Sequence, residues 1–467
     1  MLRGERVRIS NRIVAAVTLV LLNIFTVSAA GAVVNLTPKR ELRLEAPSVA
    51  DRIPVAPTRS GLPAAPMAGK LPGAVLGTRL TGLVKPFINA AVIDTGSRRL
   101  LYDQRGEIGA TPASTTKVVT STAALATLGP GYRLTTKVVR SGAGAIVLVG
   151  GGDPTLAGPS MTPAKLAAAY PRPASLVDLA RQTATALKAA GATTVRVDYD
   201  ASIYGGPALA PGWKPDYIGG DVAPISGLTI DEGMVHPGPD SEGAERVGNP
   251  AAVALATFVK LLKQYGVVAT PGSAATAPQG AAQIAAVQSP PISALIERLL
   301  TNSDNDLAEA MARQVGIKLG LGGGFSGGAQ GVHDALTRLG VAQGVQTYDG
   351  SGLSRSNRIT PLALARIVST AASSDHPELR AVITGLPIAG FSGTLAHRYG
   401  TGPTAGGAGV VRAKTGTLDG VNTLAGLTYD ADGRLLAFAF MANKVSDPSA
   451  AIGALDQLAT TVARCGC

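Results

Sequence analysis

Three short polar motifs in the sequence contain the residue types that are needed to activate a hydroxyl group. The first pairs Ser114 with Lys117, shortly after Pro112, a residue type that is common near helix starts. On a helix, this spacing places the hydroxyl and the amine on one face, where a neutral amine can remove the hydroxyl proton. A helix N-terminus would also favour an oxyanion formed beside Ser114. Taken alone, the same pattern fits a capping serine and a solvated lysine.

The second motif is Ser303-Asp304-Asn305, which comes directly before a helical pattern that begins at Asp306. Serine, aspartate and asparagine are all favoured at helix N-caps. Taken alone, this motif therefore predicts a helix start and nothing more.

The third motif is Lys414-Thr415-Gly416-Thr417, late in a predicted strand. Gly416 would let a substrate approach the strand backbone closely, because glycine has no side chain. The lysine and the two threonines offer a charge and hydroxyls to a carboxylate. Taken alone, this motif also fits an edge strand that carries a surface lysine.

The three motifs occur together in the order, and in the kinds of element, that penicillin-interacting serine enzymes require. The first lies at a helix start, the second in a loop that opens a helix, and the third late in a strand. Chance explains one such motif easily, but not all three in this arrangement. We therefore interpret Ser114 as a nucleophile whose site is completed by the other two motifs.

Further stretches make the sequence resemble the D-alanyl-D-alanine carboxypeptidase/endopeptidase family, the class C low-molecular-mass penicillin-binding proteins. The resemblance covers roughly residues 75–460. The three catalytic motifs are shared with β-lactamases, whereas four accessory stretches are more specific to this family: Gly150–Leu156, Asp349–Arg355, Ser392–Leu395 and Arg412–Leu418.

The resemblance implies a role for each residue of the first two motifs. Ser114 would be the acylated nucleophile and Lys117 its general base. Ser303 would relay a proton towards the leaving amine, and Asn305 would bind the substrate amide. The substrates would be peptidoglycan stem peptides, β-lactam antibiotics would act as inhibitors, and no cofactor or metal is implied.

The third motif would hold the terminal carboxylate of the substrate, according to the same resemblance. Thr415 and Thr417 would bind the carboxylate beside Gly416, while Lys414 would set the local electrostatics. The backbone N–H groups of Ser114 and Thr417 would form the oxyanion hole. A second cation near Lys117 would disfavour its ammonium form and so help it act as a base.

Composition limits the remaining function classes. Of the 467 residues, 46% are hydrophobic and 16% are charged, which excludes a disordered chain. The net charge is +11, but it is spread along the chain and only 4% of residues are aromatic, so we expect no nucleic-acid partner. Attraction to an anionic envelope fits this charge better. With only Cys465 and Cys467, a disulfide framework and a four-cysteine zinc site are both excluded.

The N-terminus indicates export. Arg3, Arg6, Arg8 and Arg12 precede an apolar run that extends from Ile13 to about Val34. The run is long enough to span a membrane, yet it contains small-residue cleavage sites, so residues 1–34 are either a signal peptide or a membrane anchor. A proline-rich linker is predicted over 35–74. We expect an extracytoplasmic protein in the cell wall or periplasm, tied to the cytoplasmic membrane if the segment stays uncleaved.

The predicted fold is α+β, with a β-lactamase/transpeptidase-like catalytic domain in which helices flank an antiparallel sheet. Residues 75–128 and 289–463 would form this domain. Ser114 and Ser303 are so far apart in sequence that 129–288 must be an insertion, which we expect to be one accessory α/β domain. Within it, Thr270–Ile284 is rich in Ala, Gly and Pro and is predicted as a loop. Residues 464–467 would be a tail, with a disulfide between its cysteines or to another molecule as the alternative.

Two other functions compete with the D,D-peptidase. A β-lactamase would need a deacylating carboxylate, and Glu309 and Glu378 are the only glutamates between Asn305 and Lys414. A non-catalytic wall-binding protein would keep the fold without the reaction. The choice between carboxypeptidase and endopeptidase, which differ in what the leaving group is attached to, stays open.

Overall fold

The computed structural model describes residues 72–83, 85, 87–238 and 243–466. The predicted signal or anchor, 1–34, and nearly all of the predicted linker, 35–74, lie outside the described residues. The first described helix begins at Pro72, so it includes the last residues of that linker. Within the described ranges, no helix has both the length and the hydropathy needed to cross a membrane.

The described chain contains both helices and strands. The helices are α1 (Pro72–Thr81), α2 (Thr116–Leu128), α3 (Pro163–Ala168), α4 (Leu176–Ala189), α5 (Pro250–Gln264), α6 (Ile292–Asn302), α7 (Asn305–Lys318), α8 (Phe325–Arg338), α9 (Pro361–Ala371), α10 (Arg380–Thr384) and α11 (Pro448–Ala463). The strands are β1 (Ile88–Asp94), β2 (Leu100–Gln104), β3 (Thr135–Gly142), β4 (Ala145–Val149), β5 (Thr194–Asp200), β6 (Val268–Ala274), β7 (Gln283–Gln288), β8 (Val345–Gln346), β9 (Arg358–Ile359), β10 (Arg412–Leu418), β11 (Val421–Tyr429) and β12 (Leu435–Asn443).

The first sheet has the strand order β10-β11-β12-β1-β2, and all of its pairs are antiparallel. Successive side chains of a strand point to opposite faces. Accordingly, Ala437 and Ala439 join one core with helices α2, α6, α7 and α9, whereas Phe438 and Phe440 join a second core with α1 and α11. The sheet is therefore the middle layer of three, as expected for a β-lactamase/transpeptidase-like fold, and the predicted α+β class is confirmed.

The second sheet has the order β6-β5-β4-β3-β7 and lies entirely within 129–288. Strand β5 pairs in parallel with both β4 and β6, while β3 pairs antiparallel with β4 and β7. Helices α4 and α5 cover it, and their apolar residues form a core with the sheet that is separate from the two cores of the first sheet. These features support the predicted insertion, whose exact boundaries stay a prediction.

The predicted loop Thr270–Ile284 is wrong at both ends, because β6 runs from Val268 to Ala274 and β7 begins at Gln283. Strand β6 is at the edge of the second sheet. An edge strand tolerates Pro271, which has no backbone N–H to donate. Pairing with β5 overrides the weak strand propensity of its Gly and Pro residues.

The chain end beyond α11 is attached to the fold. Cys465 is fully buried and disulfide-bonded, and its carbonyl accepts a hydrogen bond of 3.0 Å from the Ala431 N–H. The carbonyl of Arg464 accepts another, of 3.2 Å, from Arg79 of α1. The first two residues of the predicted tail, 464–467, are therefore packed against the fold.

Candidate active site

Ser114 lies in a tight turn at the entrance to α2. The turn is a 3₁₀ segment, Ala113–Thr115, that leads directly into the helix. Ala113 has a φ of +49°, a left-handed conformation that is strained for a residue with a side chain. The Pro112 carbonyl accepts hydrogen bonds from Thr115 Oγ1 (2.6 Å) and from Thr423 Oγ1 on β11 (2.7 Å). The first sheet thus holds the turn that presents Ser114, at the helix start predicted from the sequence.

Lys117 joins the first motif to the second. Its side chain is fully buried, and its Nζ lies 2.9 Å from Ser114 Oγ, within hydrogen-bond distance. The same Nζ donates to Asn305 Oδ1 at 2.7 Å and to the Ser351 carbonyl at 2.8 Å. The amine is therefore aimed at the Ser114 hydroxyl by contacts from two other parts of the chain, which is the geometry that proton removal requires.

The second motif connects α6 to α7. Ser303 follows α6 with a φ of +60°, and Asp304 caps α7 by accepting a hydrogen bond of 2.9 Å from the Leu307 N–H. The predicted helix start is thus present, with Asp304 as its cap. Asn305 uses both ends of its amide: Oδ1 accepts from Lys117, and Nδ2 donates to the Asp221 carbonyl at 2.9 Å.

The third motif lies on the edge strand β10, beside the turn Ala113–Thr115 that contains Ser114 (the nucleophile turn, after the role predicted for Ser114). A Cβ at Gly416 would come within 2.2 Å of Thr423 Oγ1 and within 3.0 Å of the Ser114 nitrogen. Only glycine permits this approach, so Gly416 serves the packing of the strand against the turn. The sequence had suggested a different reason, room for a substrate. Thr415 Oγ1 donates to Thr394 Oγ1 at 2.8 Å, in the accessory stretch Ser392–Leu395.

Lys414 is fully buried, and its Nζ donates to the Thr415 carbonyl at 2.9 Å. Its amine is therefore held within the protein, in contrast to that of a solvated surface lysine. A charge in such an environment acts more strongly on its neighbours than one in water.

One cleft brings half of the predicted site residues together. Ser114, Ser303, Asn305 and Thr417 all line it. The insertion contributes Asp221 and Arg246 to the same cleft, and neither was found from the sequence. A larger and more apolar cavity lies beside the turn Asp231–Gly233, but its lining does not include the serine and lysine of the first motif. We therefore take the smaller cleft as the candidate active site.

Buried ion pairs attach the second motif to the insertion. Asp306 pairs with Arg246 at 3.3 Å and accepts from the Ala223 N–H at 2.9 Å. Burial, and next the charge of Asp304, raise the pKa of Asp306 to about 7. Arg298 bridges Asp304, at 3.0 Å, and the buried Glu232 of the insertion. The pairs Arg246–Asp306 and Arg298–Glu232 could not be predicted from the sequence, because their partners are far apart in the chain.

Metal chemistry has no evident ligand set in this part of the chain. Among the residues that the structure describes, no group of three or more His, Cys, Asp or Glu side chains is placed to hold a metal ion.

The fold and this geometry define a class of protein: a serine enzyme in which a lysine amine adjoins a serine hydroxyl and an edge strand of the central sheet flanks the site. Residues 81–245 and 238–462 match the model of the D-Ala-D-Ala carboxypeptidase 3 (S13) family, and the chain belongs to that family. It is a serine D,D-peptidase of peptidoglycan, which confirms the activity expected from the resemblance.

Individual relatives agree with this assignment. The chain is 37% identical over 382 residues to a carboxypeptidase of Mycobacterium tuberculosis, covering 80% of each chain. It is 38% identical over 380 residues to Carboxypeptidase DacB of Mycolicibacterium smegmatis, covering 80% of this chain and 79% of the relative. Among solved structures, penicillin binding protein 4 of Haemophilus influenzae is similar in fold, with a TM-score of 0.69 at 20% identity. The match covers 83% of this chain and 99% of that one.

Proposed function

We propose that Ser114 is the nucleophile and Lys117 its general base in a two-step acyl transfer that removes a terminal D-Ala. The observation that carries the proposal is the 2.9 Å contact between Lys117 Nζ and Ser114 Oγ. In the first step, Ser114 Oγ attacks the carbonyl of the penultimate D-Ala, and its proton passes to Lys117 Nζ. The C–N bond then breaks, the leaving amine takes a proton relayed by Ser303, and an ester remains on Ser114. Water cleaves this ester in the second step.

The oxyanion would be held by the backbone N–H groups of Ser114 and Thr417. The close packing of β10 on the nucleophile turn supports this assignment. Gly416, the neighbour of Thr417, approaches so closely that a Cβ there would lie 3.0 Å from the Ser114 nitrogen. Donors held by packing need no reorganisation when charge develops, so they stabilise the transition state efficiently.

The terminal carboxylate of the substrate would bind at Thr415 and Thr417, with Lys414 behind them. Thr417 lines the cleft, and Thr415 is oriented by its hydrogen bond to Thr394. Lys414 is fully buried, so its amine, when protonated, would supply positive charge without occupying the space of the substrate. Asn305 would bind the substrate amide, and the contact of its Oδ1 with Lys117 would keep its amide group in place.

Penicillin tests these roles, because it acylates the same nucleophile and leaves an adduct that can be located. Mass spectrometry after penicillin treatment should place the adduct on the peptide that contains Ser114, and Ser114→Ala should abolish it. Ser121→Ala is a matched control on α2, the helix that follows Ser114. The Ser121 hydroxyl is buried without a hydrogen-bond partner in the described structure, so its removal should leave labelling unchanged. An adduct on Ser303, or labelling that survives Ser114→Ala, would contradict the assignment.

We propose further that the N-terminal segment 1–34 delivers this enzyme across the cytoplasmic membrane. Its arginines and apolar run support export, and the substrate of the family lies outside the cytoplasm. Fractionation of cells that express the full chain, followed by N-terminal sequencing, distinguishes a cleaved signal from a retained anchor. Recovery of the full-length protein in the cytoplasm would contradict both.

A further inference from the structure

A buried loop holds Lys117 from the side opposite the second motif. This loop, Asp349–Ser354, belongs to an accessory stretch that the resemblance matched without giving it a role. Its Ser351 carbonyl accepts the hydrogen bond of 2.8 Å from Lys117 Nζ. The Gly350 carbonyl accepts another, of 2.7 Å, from Thr120 Oγ1 one helical turn further along α2. The loop therefore contacts the lysine helix at two successive turns.

The loop has little freedom to move, because its glycines are pressed against backbone on both sides. A Cβ at Gly350 would lie 2.4 Å from the Ala308 carbonyl of α7. A Cβ at Gly352 would lie 2.0 Å from the Ala113 carbonyl, in the nucleophile turn. The loop thus fills the space between α7 and the residues that surround Ser114.

Glu309 of α7 fixes the inner part of this loop. Its Oε1 accepts hydrogen bonds from the N–H groups of Gly350 (3.0 Å) and Ser351 (2.8 Å). Glu309 is 1% exposed and Ser351 is fully buried. Of the two glutamates that a β-lactamase could use for deacylation, Glu309 is the one nearer in sequence to the second motif. Here, however, one of its oxygens is bound to the loop backbone.

We propose that Glu309 is a positioning residue for Lys117: it fixes the Ser351 carbonyl, which in turn orients the lysine amine towards Ser114. The inference rests on the proposed role of Lys117 as the general base. Changes at Glu309 should therefore alter the rate of acylation. They should not alter the entry of the substrate into the cleft, which does not need Glu309.

The charge of Glu309 strengthens this effect. Burial, and next the nearby Asp349 carboxylate, raise the pKa of Glu309 to about 7, while Arg313 on the same helix and the hydrogen bonds from Ser351 oppose the rise. Lys117 of α2 is a further ionisable group in contact with the loop. A carboxylate accepts hydrogen bonds more strongly than a neutral acid does. Acidification through pH 7 should therefore loosen the hold on Ser351 and slow acylation.

The test compares wild type, Glu309→Gln and Glu309→Ala by the second-order rate constant for acylation with a fluorescent penicillin, from pH 5.5 to 9. The amide oxygen of Gln can still accept both N–H groups, but it stays neutral at every pH. Glu309→Gln should therefore equal wild type at pH 5.5 and be about 3- to 10-fold slower at pH 8.5, because only the charge-assisted part of the bonds is lost. Glu309→Ala should be slower than Glu309→Gln at every pH, and partial rescue by Gln distinguishes positioning from loss of fold.

Glu378→Gln is the matched control, because this glutamate is partly exposed and pairs with His376 away from the cleft. It should keep the wild-type pH profile. The inference is overturned if Glu309→Gln keeps the wild-type ratio of rates between pH 8.5 and pH 5.5, or if Glu309→Ala acylates at the wild-type rate. Failure of the proposed function would give a different result, because the adduct of the wild-type protein would then lie on a residue other than Ser114.

Discussion

Gly416→Ala should disable acylation by adding a single methyl group. The new Cβ would lie 2.2 Å from Thr423 Oγ1, 2.8 Å from the Pro112 carbonyl and 3.0 Å from the Ser114 nitrogen, whereas ordinary contacts begin at 3.4 Å. Two of these three atoms belong to backbone that cannot rotate away. The strand and the nucleophile turn must therefore separate by about 1 Å, and a misplacement of that size costs about 100-fold in rate.

The assay is the acylation rate with a fluorescent penicillin, together with a thermal unfolding curve. Gly453→Ala is the matched control, because this helical glycine of α11 has no atom within 4 Å of the added Cβ. It should leave acylation unchanged and raise stability by about 0.5–1 kcal/mol, since alanine is the better helix former. Adding Thr423→Ala to Gly416→Ala removes only the nearest of the three clashing atoms, so the rate should recover in part. A Gly416→Ala variant that acylates at the wild-type rate would refute the reasoning.

Three further changes test other parts of the site. Lys414→Met keeps the bulk of the side chain but removes its charge. It should therefore slow both penicillin acylation and peptide turnover almost as much as Lys414→Ala does, by about 1.5–3 kcal/mol. Unchanged rates would show that the charge has no role in the reaction. Asn305→Ala removes one contact from Lys117 and should slow acylation about 10-fold, and equal labelling kinetics would contradict this. Because the pKa of Asp306 is raised to about 7, the folded state binds its proton more tightly than the unfolded state does. The stability of wild type relative to Asp306→Asn, measured by denaturant unfolding, should therefore fall as the pH rises from about 4 to 7, and a pH-independent difference would argue against a raised pKa.

Local pattern was sufficient to predict much of the catalytic domain. Thr95-Gly96-Ser97, between two strand-like stretches, predicts a hairpin, and β1 and β2 lie on either side of it. The sequence pattern also predicts a strand over Ala145–Val149 and an amphipathic helix over Pro448–Ala463, and β4 and α11 have these bounds. These elements have strong periodicity and clear turn residues, so propensity and packing agree. Three polar motifs were sufficient to find residues that the fold then placed around one cleft.

Long-range contacts explain what the sequence could not predict. Strand β6 forms because β5 offers it a partner, although its own composition indicates a loop. The contacts of Lys117 with Ser351 and of Asn305 with Asp221 join segments that are distant in the chain, so no local pattern contains them. The sequence also could not predict why a glycine is needed at position 416, because the reason is how closely the nucleophile turn packs against it.

The most direct test of the central claim measures release of D-Ala from a synthetic stem peptide that ends in D-Ala-D-Ala. Wild-type protein should release one D-Ala per peptide, and acid quenching during turnover should trap an acyl group on the peptide that contains Ser114. Ser114→Ala should release none, whereas the control Ser121→Ala should match wild type. Sustained D-Ala release by Ser114→Ala would contradict the claim that Ser114 is the nucleophile of this enzyme.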